Sequence, residues 1–175
     1  MELKEIYEDV TKMLPEYVTA QCISNDCAMG AGVVLAFRRV FPGLKAASMN
    51  YMEIAKNDAS KLTENGPTSM FKNDRGVYAP YRHRDEEVGV VYNMFTKDRY
   101  WQKAGKGISY EDYLNNLKES LQYVKSAMMQ NNETKLAMPK IGCGLDRCKW
   151  EDVKRIICEI FEDTDFEIVI CEYSK

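Results

Sequence analysis

The stretch Cys22-Ile-Ser-Asn-Asp-Cys-Ala-Met-Gly-Ala-Gly32 decides the fold, because closely spaced glycines in it join an apolar run to a helical one. Residues 18–24 are mostly apolar and predict a strand, and residues 32–41 carry apolar side chains at helical spacing. Glycine lets the backbone approach a ligand closely, and a helix N-terminus adds partial positive charge. The stretch therefore predicts a phosphate-binding loop between a strand and a helix.

The same pattern returns more than a hundred residues later, in Pro139-Lys-Ile-Gly-Cys-Gly-Leu-Asp-Arg147. A short apolar run over residues 135–138 precedes it, and a helical pattern from Glu151 to Phe161 follows. Two such loops in one chain predict a ligand whose diphosphate is held between them.

Strand and helix patterns alternate along the rest of the chain. Further strands are predicted at residues 3–8, 88–96 and 166–171, and further helices at 44–56 and 110–130. This order predicts an α/β fold, a three-layer α/β/α sandwich with a mixed, largely parallel central sheet. Because ligands bind at the carboxyl ends of strands in such sheets, both glycine loops and Lys97 fall on one edge.

The chain of 175 residues is the size of a single domain, with no linker rich enough to divide it. Residues 57–87 are polar and broken by glycine and proline, with short strands predicted at 68–72 and 77–81. Net charge is −3, which argues against a dedicated nucleic-acid binder. Because no membrane-spanning run and no apolar leader are seen, we expect a cytoplasmic protein, or a nucleocytoplasmic one in a eukaryote. We also expect the protein to be a monomer.

The six cysteines lie beside apolar residues or glycine and form no Cys-x-x-Cys pair, which predicts reduced thiols. Cys22 and Cys27, like Cys143 and Cys148, are separated by four residues, so a four-cysteine zinc site is an alternative. Structural zinc usually takes more closely spaced pairs, and we expect neither a metal nor a cofactor.

Three segments together resemble the macrodomains, and within them the terminal ADP-ribose protein glycohydrolase subgroup. They are the first glycine loop, Phe95-Thr-Lys97, and Met138-Pro-Lys-Ile-Gly-Cys-Gly-Leu-Asp-Arg147 followed by Trp150. The resemblance covers residues 5–173 and is poorest over residues 57–90. We therefore interpret residues 57–90 as an insertion that varies within the family. It implies an enzyme that removes ADP-ribose from carboxylate esters and related 1″-derivatives.

The resemblance also implies roles for individual residues. Asp9, with Val10 beside it, takes the adenine position, although Glu8 stands where the family has glycine. Ser24, Asn25 and Asp26 lie where the family contacts the distal ribose and the reacting bond. The loop residues implied to contact the distal ribose and the phosphates are Met29, Gly30, Ala31, Gly32, Ile141, Gly142, Cys143, Gly144 and Leu145.

Lys97 and Asp146 are the implied catalytic pair. In the subgroup that lysine attacks the anomeric carbon and the aspartate resolves the intermediate. An amine is nucleophilic only when deprotonated, whereas a neighbouring carboxylate favours the charged form. The same carboxylate can carry the proton, so two effects of Asp146 on Lys97 oppose each other.

Ordinary structural roles compete with each of these assignments. Lys97 could be a solvated lysine, and Asp146 could cap the helix that begins near Trp150. Arg147 could bind phosphate, pair with Asp146 or lie free on the surface. Trp150 is expected to pack against the core.

The basic and aromatic residues near position 80 are expected in an exposed loop. His83, the single histidine, is expected in a solvated turn, which argues against a Cys-His or Ser-His hydrolase. The neighbouring Tyr78, Tyr81, Arg82 and Arg84 offer a possible but weaker nucleic-acid contact.

Four functions follow from this reading. The first is an ADP-ribosyl hydrolase acting on glutamate- or aspartate-type esters. The alternatives are an ADP-ribose-1″-phosphate phosphatase, a non-catalytic ADP-ribose reader, and a module acting on ADP-ribosylated nucleic acid. The expected partners are ADP-ribose or an ADP-ribosylated protein or small molecule, and no membrane.

Overall fold

A computed structural model describes residues 1–57, 72 and 76–173. Its strands are β1 (Glu2–Tyr7), β2 (Val18–Ser24), β3 (Tyr81–Asp85), β4 (Gly89–Lys97), β5 (Lys103–Ala104), β6 (Gly107–Ile108), β7 (Lys135–Pro139) and β8 (Glu167–Glu172). Its α-helices are α1 (Val34–Val40), α2 (Leu44–Asn57), α3 (Tyr110–Gln130) and α4 (Trp150–Phe161), and a 3₁₀ turn covers Val10–Met13. The helices and most strands agree with the predicted ones to within two residues.

Six strands form one sheet in the order β1-β8-β7-β2-β4-β3. All neighbours pair in parallel except β3, which runs antiparallel to β4. The carboxyl ends of β1, β2, β4 and β7 therefore lie along the same edge. The predicted α/β sandwich with a mixed, largely parallel sheet is confirmed.

The two faces of the sheet build two separate cores, because side chains alternate between the faces of a strand. On β4, Tyr92 and Met94 pack with α3 and α4, whereas Val91 and Phe95 pack with α1 and α2. Leu121 of α3 and Phe37 of α1 are fully buried against these opposite faces. The helices thus form two outer layers around the sheet.

The predicted insertion is described only in its second half. Residues 58–71 and 73–75, with most of the predicted strand 68–72, lie outside the described residues. The strand predicted at 77–81 is wrong: the strand is Tyr81–Asp85. Pro80 has no N–H to donate to a ladder, and the charged residues that follow it suit an edge strand.

His83 lies on edge strand β3 and not in a solvated turn, so that prediction is wrong too. Its ring stands edge-on to Phe41 at 5.4 Å, and Nδ1 lies 2.9 Å from the Tyr81 hydroxyl. Burial lowers the pKa of His83, partly offset by Asp85. Sequence reasoning missed the strand because four of its five side chains are charged or can ionise at neutral pH.

No helix in the described ranges is both long enough and apolar enough to cross a bilayer.

We predict that Leu121→Ala lowers the free energy of unfolding by about 2–5 kcal/mol, because the truncation leaves a cavity in a closed core. Leu121 is 0% exposed. Met129→Ala on the same helix, where the side chain is 59% exposed, should change it by less than about 0.5 kcal/mol. Urea denaturation followed by circular dichroism measures both. Equal losses in the two variants would contradict the assignment of this core.

Candidate active site

The two glycine loops meet at the carboxyl edge of the sheet. A Cβ placed on Gly32 of the first loop would lie only 3.2 Å from Cδ1 of Leu145 in the second. The first loop leaves β2 toward α1, and the second leaves β7 toward α4. Parallel pairing of β2 with β7 therefore brings together segments that lie more than a hundred residues apart.

Both loops present backbone N–H groups. Within residues 1–57, 72 and 76–173, no acceptor takes the N–H groups of residues 29–33 or those of Gly142, Gly144 and Leu145. Met29, Gly32 and Gly142 adopt positive φ angles of 51°, 80° and 71°, the left-handed conformation that occurs in anion-binding backbone nests. Because unpaired amides attract anions, this arrangement suits a diphosphate.

Other amides of the second loop are not available. Ile141 N–H bonds to Pro139 O at 2.7 Å, and Cys143 N–H bonds to Lys140 O at 3.1 Å. These bonds shape the turn, so two of the five amides predicted to wrap the diphosphate serve the loop itself. Glu151 and Asp152 already occupy the first turn of α4, which weakens the attraction of that helix end for an anion.

Lys97 and Asp146 lie side by side next to these loops. Lys97 Nζ is 2.6 Å from Asp146 Oδ1, and the two side chains are 10% and 12% exposed. The pairing of Ser24 with Lys97 follows a register shift after Ile23, where the carboxyl end of β4 becomes irregular. Such irregularities re-aim side chains near active sites. An amine and a carboxylate thus share a nearly enclosed position at the sheet edge.

A bridging segment, residues 98–108, completes the coordination of the lysine. Nζ of Lys97 also donates to the backbone carbonyls of Tyr100 (3.0 Å) and Gln102 (2.8 Å). With Asp146 Oδ1, this gives three acceptors for the three N–H bonds of an ammonium group.

Asp26 fastens the bridging segment to the first loop. Its Oδ2 accepts from Tyr100 N at 2.9 Å, and its Oδ1 accepts from Ala28 N at 3.2 Å and from the Ser24 hydroxyl. Burial alone would raise the pKa of Asp26, but these three hydrogen bonds outweigh burial and lower it. The carboxylate expected beside the reacting bond is therefore engaged with protein donors.

Asn25, between Ser24 and Asp26, carries a buried polar atom without a hydrogen-bond partner among the described residues. Its backbone N–H bonds to Lys97 O at 2.9 Å, and its Nδ2 donates to Asp98 Oδ1 at 3.3 Å. Its Oδ1 is buried and has no hydrogen-bond donor among the described residues. An orphaned acceptor next to Lys97 suits a ligand hydroxyl.

Asp9 follows β1 at the same edge of the sheet, with Val10 buried behind it. Its Oδ1 accepts from the backbone and the hydroxyl of Thr11, at 2.9 and 2.7 Å. The Asp9 N–H bonds to Glu8 Oε1 at 2.9 Å, so Glu8 folds back on the turn. Asp9 therefore caps the 3₁₀ turn, and its contact with adenine stays a prediction.

The other predicted loop residues divide into buried and exposed ones. Met29 and Ile141 point into the two cores, so only their backbone can face a ligand. Cys143 is half-buried. The exposed ones are Gly30, Ala31, Gly32, Gly144, Leu145 and Arg147. Arg147 adopts a positive φ of 66°, and the ion pair of Asp146 within the described ranges is to Lys97 instead.

Two of the structural alternatives can now be judged. Asp146 does not cap α4, because the N-cap position is Lys149 and no side chain caps it. Trp150 packs partly against the core, and its Nε1 donates to Glu5 Oε1 at 2.9 Å. The cysteines are unpaired and at most half-exposed, and no group of three or more possible metal ligands occurs among the residues described.

Sequence reasoning missed two residues that hold the pair. The hydroxyl of Tyr113, on α3, donates to Asp146 Oδ2, and Thr96 Oγ1 lies 3.1 Å from that hydroxyl. Both residues are fully buried. Tyr113 looked like an ordinary core position of an amphipathic helix, so the pattern carried no signal of its polar contact.

A cleft of about 380 Å³ adjoins Lys97 on the side of α3. Asn25, Lys97, Asp98, Asp112 and Asn116 line it, together with residues 76–78 of the predicted insertion. It includes no residue of the second glycine loop, so it lies beside the space between the loops and not within it.

We predict that Asp26→Asn lowers the free energy of unfolding at pH 7 by about 1–3 kcal/mol, because three hydrogen bonds to a charged acceptor are weakened. A lowered pKa in the folded state stabilises the protein above the ordinary value of about 3.9, and this contribution is lost as pH falls below it. The difference from wild type in thermal unfolding should therefore shrink below about pH 4. Asp165→Asn, at an exposed loop position, is the control. A difference that stays constant down to pH 2 would contradict this role.

Two known glycohydrolases are similar to this chain over most of its length. No family model matches the chain. Human ADP-ribose glycohydrolase OARD1 is 35% identical over 151 residues, which are 86% of this chain and 78% of the human protein. The Bos taurus protein of the same name is 36% identical over 149 residues, 85% of this chain and 77% of the bovine one.

Solved structures share the fold at lower identity. The macrodomain of Thermus aquaticus DarG matches with a TM-score of 0.70 at 18% identity, over 97% of each chain. Thermosipho africanus DarTG in complex with ADP-ribose matches with a TM-score of 0.69 at 14% identity, over 99% of this chain and 42% of that one. With the identity to the two glycohydrolases, the resemblance seen in the sequence is confirmed: the chain belongs to the macrodomains of the terminal ADP-ribose glycohydrolase type.

Proposed function

We propose that this chain hydrolyses the bond between C1″ of ADP-ribose and an acyl group of the glutamate or aspartate type. Its membership in the glycohydrolase group makes it an ADP-ribosyl hydrolase. The observation that carries the finer proposal is the 2.6 Å contact of Lys97 Nζ with Asp146 Oδ1 beside two loops of unpaired amides. In this proposal Lys97 is the nucleophile, and Asp146 is the acid and base.

The ligand lies along the carboxyl edge of the sheet. The diphosphate takes the amides of residues 29–33 and those of Gly142, Gly144 and Leu145. Adenine extends toward Asp9, and the distal ribose reaches Lys97, with a hydroxyl donating to the orphaned Oδ1 of Asn25. The ADP-ribose complex of Thermosipho africanus DarTG, which has the same fold, supports the choice of ligand.

The first step is a proton transfer. Lys97 is held as an ammonium by two carbonyls and a carboxylate, and of these three acceptors only Asp146 can take its proton. At 2.6 Å the proton moves from Nζ to Oδ1 without rearrangement. The transfer leaves a neutral amine and a protonated Asp146, which accounts for how one carboxylate both restrains and activates the lysine.

The second step forms the N–C bond. The lone pair of Nζ attacks C1″, the bond from C1″ to the acyl oxygen breaks, and its electron pair leaves with the carboxylate product. Asp146 then loses its proton to solvent, which is the one proton that ester hydrolysis releases at neutral pH. ADP-ribose is now attached covalently to Lys97.

The third step restores the enzyme. Asp146, again a carboxylate, takes a proton from a water molecule that attacks C1″. The N–C bond breaks with its electron pair returning to Nζ, and the proton passes from Asp146 to the amine. Free ADP-ribose leaves, and the resting ion pair is re-formed.

Two features favour this chemistry over the alternatives. A non-catalytic reader has no need of a lysine and a carboxylate held together, almost buried, beside the glycine loops. A phosphatase acting on the 1″-phosphate has a leaving group with up to two negative charges. Asp98 and Asp112 line the cleft beside Lys97, so their charge disfavours that leaving group more than a singly charged carboxylate.

The acceptor that carries the ADP-ribose is an ADP-ribosylated protein or small molecule in this proposal, handled by a monomer. Residues 76–78 line the cleft next to Lys97, which supports a role of the insertion in the choice of leaving group. An ADP-ribosylated nucleic acid is the less favoured acceptor, because the chain carries a net charge of −3.

We predict that Lys97→Ala lowers the rate of ADP-ribose release from glutamate-linked mono-ADP-ribosylated protein by about a thousandfold or more, because the nucleophile is lost. Binding of ADP-ribose, measured by calorimetry, should change by less than about tenfold, since the diphosphate amides remain. Chromatographic detection of released ADP-ribose measures the rate, and ADP-ribose-1″-phosphate serves as the second substrate.

Lys118→Ala, at an exposed position on α3, is the matched control and should keep the wild-type rate. Release by Lys97→Ala at the wild-type rate would refute the lysine mechanism. Faster turnover of the 1″-phosphate than of the ester would instead favour the phosphatase.

A further inference from the structure

We infer that Tyr113 is a positioning residue for the catalytic carboxylate, and that it holds Asp146 in the orientation and charge state that the reaction needs. This inference rests on the proposed function, because it concerns the same carboxylate. Tyr113 lies in the first turn of α3 and is 0% exposed, so it acts through Asp146 and not on the substrate.

The carboxylate of Asp146 is held at both oxygens. Oδ1 accepts from Lys97 Nζ at 2.6 Å, and Oδ2 accepts from the Tyr113 hydroxyl. The backbone carbonyl of Asp146 is bonded as well, by Ala104 N–H at 2.9 Å. With both oxygens engaged, rotation of the carboxyl group is prevented, and Oδ1 stays directed at the amine.

The direction of the tyrosine hydroxyl is set by Thr96, the residue next to Lys97. Thr96 Oγ1 donates to Tyr113 Oη at 3.1 Å, which directs the tyrosine proton to Asp146. The carbonyl of Thr96 accepts from Asn116 Nδ2, on α3, at 3.1 Å. The end of β4 that carries the nucleophile is thus fastened to the helix that carries the tyrosine.

Tyr113 donates throughout the neutral range. Burial, with the nearby Cys22 and Asp146, raises the pKa of Tyr113 well above its ordinary value. Among the described residues, the other titratable groups near Asp146 include Lys97, which is bonded to Oδ1, and the thiols of Cys22 and Cys148. Burial raises the pKa of both thiols, to about 12 for Cys148, so both stay neutral.

The same ring also touches the second glycine loop. A Cβ on Gly142 would lie 3.1 Å from Tyr113 Cε1, and the φ of Gly142 is +71°. The loop therefore reaches its position only because glycine leaves room for the tyrosine ring. One side chain sets the location of the loop and the orientation of the carboxylate that follows it.

Tyr113→Phe removes only the hydroxyl and is the direct test. Because a hydrogen bond to the charged form stabilises that form, its loss should move the acid limb of the kcat–pH profile to higher pH. We expect kcat on the acyl ester to fall about tenfold or more, while KM changes by less than about twofold. A purely structural role would not move the pH profile.

Tyr92→Phe is the matched control. Tyr92 lies on β4, five residues before Lys97 and outside the site. It is 1% exposed, and its hydroxyl donates to the carboxylate of Glu133. It should lose stability to a similar degree and keep the wild-type kcat and pH profile. Thermal unfolding confirms that both variants are folded.

Lys97→Ala, assayed in parallel, separates this inference from the proposed function. If Lys97→Ala is inactive but Tyr113→Phe keeps the wild-type kcat and pH profile, the role of Tyr113 is overturned and the function stands. If Lys97→Ala keeps the wild-type rate, the proposed function itself fails. Should Tyr113→Phe not fold, Thr96→Val tests the same chain of bonds. It should lower kcat severalfold with the acid limb shifted to higher pH, and a wild-type profile would overturn the inference.

Discussion

Parallel alignment of β2, β4 and β7 is the constraint on which the site depends. It brings three chain segments, distant in sequence, to one edge at their carboxyl ends. The first glycine loop, Lys97 and the second glycine loop follow directly from those ends. An antiparallel neighbour in the centre of the sheet would send one of them to the opposite edge. Here the antiparallel strand is β3, at the outside, where it disturbs none of the three.

The carboxylate of Asp146 has two opposing effects on the Lys97 amine. A carboxylate next to a lysine favours the ammonium, which is not nucleophilic. The two backbone carbonyls of the bridging segment favour it further. In the proposed mechanism, the same short contact gives the ammonium proton an acceptor, so a single proton transfer forms the neutral amine. Asp26 supports this arrangement from the side, by fastening the segment that supplies the carbonyls.

Much of the fold could be predicted because its main signals are local. Apolar runs such as residues 88–96, and glycines followed by helical spacing, specify strands and loops without knowledge of distant residues. That Lys97 and Asp146 lie together could be predicted from the rule about strand ends and from the family resemblance. The protein partners of Asp26 could not be predicted: its carboxylate accepts from two backbone amides and from the Ser24 hydroxyl.

What could not be predicted depends on packing between distant segments. Edge strand β3 is charged along its length, so periodicity gave no indication of it. Tyr113 occupies a core position of α3, and only its depth relative to β4 brings its hydroxyl to Asp146. Similarly, the use of the Ile141 and Cys143 amides inside the second loop depends on the turn that the loop adopts.

A crystal structure of the protein soaked with ADP-ribose tests most directly whether the two glycine loops bind the diphosphate and bring the distal ribose to Lys97. We predict that the diphosphate lies on the amides of residues 29–33 and on those of Gly142, Gly144 and Leu145. We also expect C1″ of the distal ribose to lie within about 3.5 Å of Lys97 Nζ or to be bonded to it. A distal ribose pointing away from Lys97, or a diphosphate bound elsewhere, would contradict these predictions.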